Sequence, residues 1–168
     1  LNNNLGASLR ELGFFDEAKD YLKKSININH NYAEAYYNLG FLYQDIGSID
    51  KAIINFEKAI SINSHPMSFH SLSYLKNFKQ DDPLIIRMKS VLSSDKLNQI
   101  DRIHINHALA NVYEKLNKNN EFFQFLDMAN YLHKKELNYS HKESKNEFKA
   151  IKKIFDISIK QNGKMKSS

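Results

Sequence analysis

Apolar residues recur at three- and four-residue steps along most of the chain, the spacing of helices that bury one face. Over the first 64 residues this pattern predicts four helices, at 1–13, 16–28, 33–46 and 50–62. Gly13 and Gly47 interrupt it where a helix ends most cheaply with a positive φ. Asp16 and Asp50 each follow by three residues, at the start of the next helix, where exposed backbone N–H groups favour a carboxylate. Ser64-His65-Pro66 closes this set, since proline cannot continue a helix. A short helix is expected over Phe69–Phe78. Asp81-Asp82-Pro83 then opens another with an acidic cap and a proline in the first turn. Leu84, Ile85, Met88, Val91 and Leu92 give that helix its apolar stripe, and Ser93-Ser94-Asp95 ends it. A further helical pair begins near Asp101, and a last amphipathic helix is expected over 138–160. There Phe148, Ile151 and Phe155 oppose a wet face of Lys142, Lys145, Lys149 and Lys152.

The first four helices are two copies of one unit. Leu5-Gly6 returns as Leu39-Gly40, Gly13 as Gly47, Asp16 as Asp50, Ala18 as Ala52 and Leu22 as Phe56, at a constant offset of 34 residues. Small residues at fixed places in a 34-residue helix-turn-helix period are similar to those of the tetratricopeptide repeat (TPR). That resemblance implies an all-α, right-handed α-solenoid. In it Gly6, Gly40, Ala18 and Ala52 mark close helix crossings, and Leu5, Leu22, Leu39, Tyr36, Tyr43 and Phe56 fill the space around them. Counted on the same template, Leu109-Ala110, Tyr113, Leu126 and Ala129 outline a degenerate third repeat. Asn117 stands in its glycine place, a position asparagine tolerates. Phe122 stands where Ala18 and Ala52 stood, so the helices there must splay or repack. The expected division is two TPR units at 1–64 (the first truncated), an irregular helical connector at 65–100, the degenerate unit at 101–137, a capping helix at 138–160 and a polar linker at 161–168. The chain opens at Leu1, inside a repeat, and reads as a piece cut from a longer protein.

Composition narrows the function. With no cysteine there is neither a disulfide framework nor a thiolate metal site. No apolar run approaches the roughly 20 residues of a membrane span, and the N-terminus shows no signal peptide; the expected place is the cytoplasm. The net charge of +5 comes from the lysine-rich end. Those lysines alternate with apolar positions as on a solvated helix face, so neither nucleic acid nor membrane is expected as a partner. No Gly-rich phosphate loop or nucleophile–base pair occurs. Asp81-Asp82 reads as a helix cap. His104 and His107 share one helix face but lack the third and fourth ligands of a metal site. Catalytic, cofactor and metal residues are therefore expected to be absent from this chain.

After the second repeat the order of residues becomes more particular: Phe78-Lys79-Gln80-Asp81-Asp82-Pro83-Leu84-Ile85, Leu92-Ser93-Ser94-Asp95, Asp101-Arg102, His107-Ala108-Leu109-Ala110-Asn111-Val112-Tyr113, then Phe125, Met128-Ala129-Asn130, Lys134-Lys135 and Tyr139. This order resembles the TPR-containing sulfotransferases of bacteria, with His107 in place of the more usual aromatic. The resemblance implies a substrate-recruiting arm that precedes a catalytic domain. That domain would use 3′-phosphoadenosine 5′-phosphosulfate, held by a Pro-Arg-Ser-Gly-Thr loop that this chain does not contain. A stand-alone adaptor is the alternative.

The candidate site is the concave groove, with a protein or peptide as its ligand. Template counting assigns to it Asn3, Asn4, Ala7, Arg10 and Glu11 in the first repeat. The second repeat supplies Glu34, Tyr37, Asn38, Phe41, Gln44 and Asp45, and the degenerate unit His104, His107, Asn111, Glu114 and Lys115. Asn and Gln side chains both donate to and accept from a peptide backbone, while Tyr37 and Phe41 offer apolar anchors. Of the residues that TPRs use to clamp chaperone C-termini only Asn38 is in place, so that ligand is not expected.

Overall fold

A computed structural model of the chain describes residues 1–137; the expected capping helix and polar linker lie outside the described residues. The chain divides into a unit spanning Leu1–Asn130 and a second beginning at Tyr131, of which residues 131–137 are helical. Among the described residues every regular element is an α-helix. They are α1 (Asn2–Glu11), α2 (Phe15–Ile28), α3 (Ala33–Asp45), α4 (Ile49–Asn63), α5 (Pro66–Leu75), α6 (Pro83–Leu92) and α7 (Gln99–Lys115). An eighth, α8, is described over 119–137.

Three turns are built alike. Gly13 (φ 83°), Gly47 (φ 75°) and Asn117 (φ 55°) adopt the left-handed conformation just past α1, α3 and α7. In each, the next N–H reaches back five residues: Phe14 to the Leu9 carbonyl (2.9 Å), Ser48 to Tyr43 (2.7 Å) and Lys118 to Tyr113 (2.9 Å). The left-handed residue itself donates to the carbonyl three back, at 3.0 Å in all three. This is the Schellman closure, which satisfies carbonyls that the helix end leaves open. The aspartates act otherwise than as caps. Neither Asp16 nor Asp50 bonds a backbone N–H of its helix; both supply charge to the first turn, and Asp16 accepts from Lys19 Nζ at 2.8 Å.

The small residues at the crossings have a visible cause. A Cβ built on Gly6 would lie 2.8 Å from Leu22 Cγ, and one on Gly40 would lie 2.7 Å from the Phe56 ring. Leu22 and Phe56 are themselves a repeat pair, and both are fully buried, as are Ala18 and Ala52. Leu5 departs from expectation: it is 42% exposed, whereas its counterpart Leu39 is 5% exposed. Leu39 packs with Ala18 and Leu22 of the preceding hairpin, and Leu42 completes that cluster.

Beyond Asn63 the structure corrects the sequence reading. Pro66 opens a helix as its first residue instead of closing the repeats. α5 runs Pro66–Leu75, three residues earlier than expected, capped by His65, whose ring accepts from the Ser68 N–H. Phe78 lies past the end of that helix but is buried. Asp82 caps α6 through the Leu84 N–H, as its position before Pro83 implies. Arg87 on α6 reaches the end of α4, donating to the Ile60 carbonyl at 2.6 Å and to Ser64 Oγ at 3.0 Å. Phe56, Phe69, Leu72, Met88, Ile105, Leu109 and Val112 form one continuous core across α4–α7. Burying side chains of this size contributes about 1.5–3 kcal/mol each before the entropy of ordering them is subtracted. Phe122 is half-buried at the edge of this core, while Tyr113 and Phe125 stack at 5.6 Å and 4° between α7 and α8.

Candidate functional site

The first helix of each hairpin runs beside the first helix of the next, and their side chains meet in ascending order. Between α1 and α3, Asn38 Nδ2 donates to Asn3 Oδ1 at 3.0 Å, and Arg10 Nε lies 3.6 Å from Asp45 Oδ2. Both pairs are separated by 35 residues, one repeat plus one, so the helices are parallel neighbours. Between α3 and α5, Glu34 meets His65 and Tyr37 hydrogen-bonds Ser71. Between α5 and α7, the His70 ring lies 5.6 Å from that of His104 and 5.9 Å from that of His107. Further along the same seam Asn111 Nδ2 donates to Ser73 Oγ at 3.0 Å, and Lys115 Nζ donates to the Tyr74 carbonyl at 2.7 Å. α1, α3, α5 and α7 thus form one parallel face, with α5 as its third member.

Of the expected groove residues, Asn3, Arg10, Glu34, Tyr37, Asn38, Asp45, His104, His107, Asn111 and Lys115 meet a neighbour across these seams, and they play different parts. Tyr37 is 7% exposed and packed among Phe41, Phe56 and His65. Burial, with the Glu34 carboxylate beside it, pushes its hydroxyl up to about 12. Glu34 accepts from His65 Nε2 at 2.9 Å, and that bond holds its carboxyl below the usual range. The Ser68 N–H points at His65 Nδ1, which leaves Nε2 to carry the proton that Glu34 accepts. Asn38, Asp45, Asn111 and Lys115 are each committed to a neighbouring helix. Phe41 and Gln44 are half-buried, and Asn4, Glu11 and Glu114 are exposed. Arg10 lies over the Phe41 ring at 5.1 Å.

Between α3 and α5 the face holds a hollow of about 260 Å³ lined by Phe41, Gln44, His70, Ser71 and Tyr74. Among the described residues, Gln44 Oε1 is buried without a hydrogen-bond partner, as is Arg10 Nε. His70 is held well below the ordinary histidine range, to about 4, first by burial and then by the imidazoles of His104 and His107. Burial also lowers His104. Among the described residues no group of His, Cys, Asp and Glu is arranged to hold a metal, and no helix is long and apolar enough to cross a membrane.

The residues of α5 escaped the sequence reading. Its sequence lacks the Leu-Gly step, with Ser73-Tyr74 in that place, so only the spacing survives: 34 residues on from α3 is 67–79, which overlaps the helix. That spacing was the available signal for His70, Ser71 and Tyr74.

Residues 1–64 match the tetratricopeptide repeat family. No curated protein sequence matches the chain. Among solved structures it is similar to the crystal structure of MamA, at 23% identity over 82% of this chain and 80% of that one, with a TM-score of 0.58. YrrB, described as a TPR protein with an unusual peptide-binding site, aligns at 15% identity over 85% of this chain and 90% of that one, with a TM-score of 0.47. The 34-residue period, the glycine-sized crossings and the family match agree in assigning two tetratricopeptide repeats to residues 1–64.

Proposed function

We propose that this chain is an interaction scaffold that holds a segment of a protein partner against the face of α1, α3, α5 and α7. The hollow between α3 and α5 is the observation that carries this reading. It sets aromatic walls from Phe41 and Tyr74 beside a buried, unpaired amide oxygen of Gln44. Such a floor suits an apolar side chain whose neighbouring peptide N–H donates to Gln44. Tyr37 and Asn38 are poor probes of the reading, since both are tied into packing. The test uses peptides selected on the chain from a random display library. The double substitution Gln44→Ala with Tyr74→Ala, both lining the hollow, should weaken their binding by about tenfold or more, the scale of losing one anchor. Asn27→Arg, an exposed position on α2, should leave binding alone. Peptides that bind the double variant as well as the parent would overturn the proposal.

The finer reading is that this scaffold is the non-catalytic N-terminal arm of a sulfotransferase. It is supported by the order of residues from Phe78 to Tyr139. The partner would then be the acceptor, or would deliver it, in the cytoplasm. A strand and a Pro-Arg-Ser-Gly-Thr loop encoded downstream, with sulfuryl transfer to the captured peptide, would establish it. A stop codon soon after Ser168 would leave the adaptor.

A further inference from the structure

The hollow between α3 and α5 lies where both helices end. Phe41 and Gln44 belong to the last turns of α3, and Ser71 and Tyr74 to those of α5. The two helices run parallel, so both turn the negative ends of their dipoles toward this place. Cations of the chain itself already gather here. The Arg10 guanidinium lies 5.1 Å over the Phe41 ring, and Lys115 Nζ donates to the carbonyls of Tyr74 and Lys76 at 2.7 and 3.1 Å. Arg10 is answered by two acids: its Nε is 3.6 Å from Asp45 Oδ2, and a terminal nitrogen is 3.9 Å from Glu11 Oε1. Its buried Nε makes no hydrogen bond, but its charge is met. The side chains of Asp45 and Glu11 are 41% and 72% exposed, so two accessible carboxylates stand against one guanidinium. Gln44, the residue before Asp45, carries an amide oxygen that is buried with no donor. His70 in the wall brings no positive charge near neutral pH, being held to about 4, first by burial and then by the imidazoles of α7. What the hollow lacks is a donor that carries a positive charge.

We propose that the hollow takes a lysine or arginine side chain of the partner, with its aliphatic stem between Phe41 and Tyr74 and its cationic head toward the Gln44 amide oxygen and the Asp45 carboxylate. The proposal rests on the peptide-binding reading of this face and names its partner's chemistry. Such a side chain is apolar along its stem and charged only at its tip. The stem supplies the apolar filling, while the head is drawn to the aromatic faces and donates to an acceptor that is otherwise unpaired. A carboxylate would meet Asp45 and Glu11 as like charges. A neutral apolar side chain would fill the space but draw nothing from the two carboxylates.

The test titrates the full chain with acetylated pentaglycine amides whose middle residue is arginine, lysine, methionine or glutamate, read by the Phe41 and Tyr74 ring signals and the Gln44 side-chain amide in NMR. The arginine and lysine peptides should shift all three. They should bind about threefold or more tighter than the methionine peptide, which matches their stem but lacks the charge, the scale of an exposed cation–π contact. Added salt should narrow that preference. The glutamate peptide should leave these signals still. Gln44→Glu, which turns the unpaired acceptor into a charged one, should tighten the cationic peptides and leave the methionine peptide alone. Should that variant unfold, the wild-type comparison of arginine with methionine decides the same question. Equal affinity for methionine and the two cations would overturn the proposal. So would shifts with the glutamate peptide, or cationic peptides that leave Phe41, Tyr74 and Gln44 unmoved. If library-selected peptides bind the face but carry no basic residue at the hollow, this inference falls and the peptide-binding reading stands. A library that yields no binder sinks both.

Discussion

Gly40 and Gly47 show two opposite reasons for the same residue. At Gly40 a side chain has no room, because its first carbon would sit 2.7 Å from a fully buried aromatic ring. At Gly47 there is nothing within 4 Å, and the backbone itself, at φ 75°, requires glycine. Gly40→Ala should therefore destabilise the protein by about 1–3 kcal/mol through overpacking, even after the better helix propensity of alanine is counted. Gly47→Ala should cost about 1–2 kcal/mol, and Gly47→Asn less, following Asn117. Urea unfolding of the three variants checks the ranking. His70 supplies the pH dependence. In the folded chain its pKa is lowered to about 4 from the ordinary 6.5, so between these values the unfolded chain binds the proton more readily. Stability should then fall as pH drops through that window and level off below it. Glu34, also lowered, adds a further loss only as pH falls below its ordinary value of 4.5. His70→Gln should reduce the upper part of the curve without abolishing it, since the lowered His104 acts in the same window, and should leave the lower part, as read by thermal melts across pH.

Among the helices, α5 and α6 decide how the regular repeats join the degenerate unit. α5 keeps the place of a first helix, parallel to α3 and α7, while the segment after it leaves the repeat pattern. α6 is held to the end of α4 by the Arg87 guanidinium, which makes bonds from two of its nitrogens to Ser64 and one to the Ile60 carbonyl. Arg87→Ala should cost about 1–3 kcal/mol, the range for losing hydrogen bonds from a charged donor. Arg87→Lys should recover only part of this, because an ammonium lacks the planar fork. Amide exchange should show the loss in α6 and the last turn of α4 before it reaches α1 and α2. Phe122, in the place of the repeat alanine, was legible from the template as a departure, and it lies half-buried against the core. The start of α5 was not legible. A proline reads equally well as the end of one helix or as the first residue of the next, and the His65 cap that settles it is made by a ring.

Across the unit Leu1–Asn130 the packing falls into two clusters. Ala18, Leu22, Leu39 and Leu42 form one, and the larger set from Phe56 to Val112 forms the other. A stack in which each hairpin touches its neighbours loses stability locally, not all at once. Leu22→Ala should cost about 2–5 kcal/mol by opening a cavity and should raise amide exchange throughout α1 and α2. Protection in α5 and α7 should change little, because their core does not include Leu22. A uniform loss of protection would show that the unit opens as one block.

The helical class, the two-repeat unit, its turns and its close crossings were written in the chain, because each depends on residues a fixed number of steps apart within one hairpin: Gly13 with Gly47, Gly6 with Leu22, Gly40 with Phe56. The face was legible as a set of positions but not as an arrangement. Whether Glu34, Asn38, Asp45 and Asn111 stand free or bind a neighbouring helix depends on side chains about 31–38 residues away. The hollow and the histidine cluster arise only when α5 is laid between α3 and α7. Periodicity reports the residues that a repeating geometry demands, and it is silent where a single helix departs from the repeat yet keeps its place in the stack.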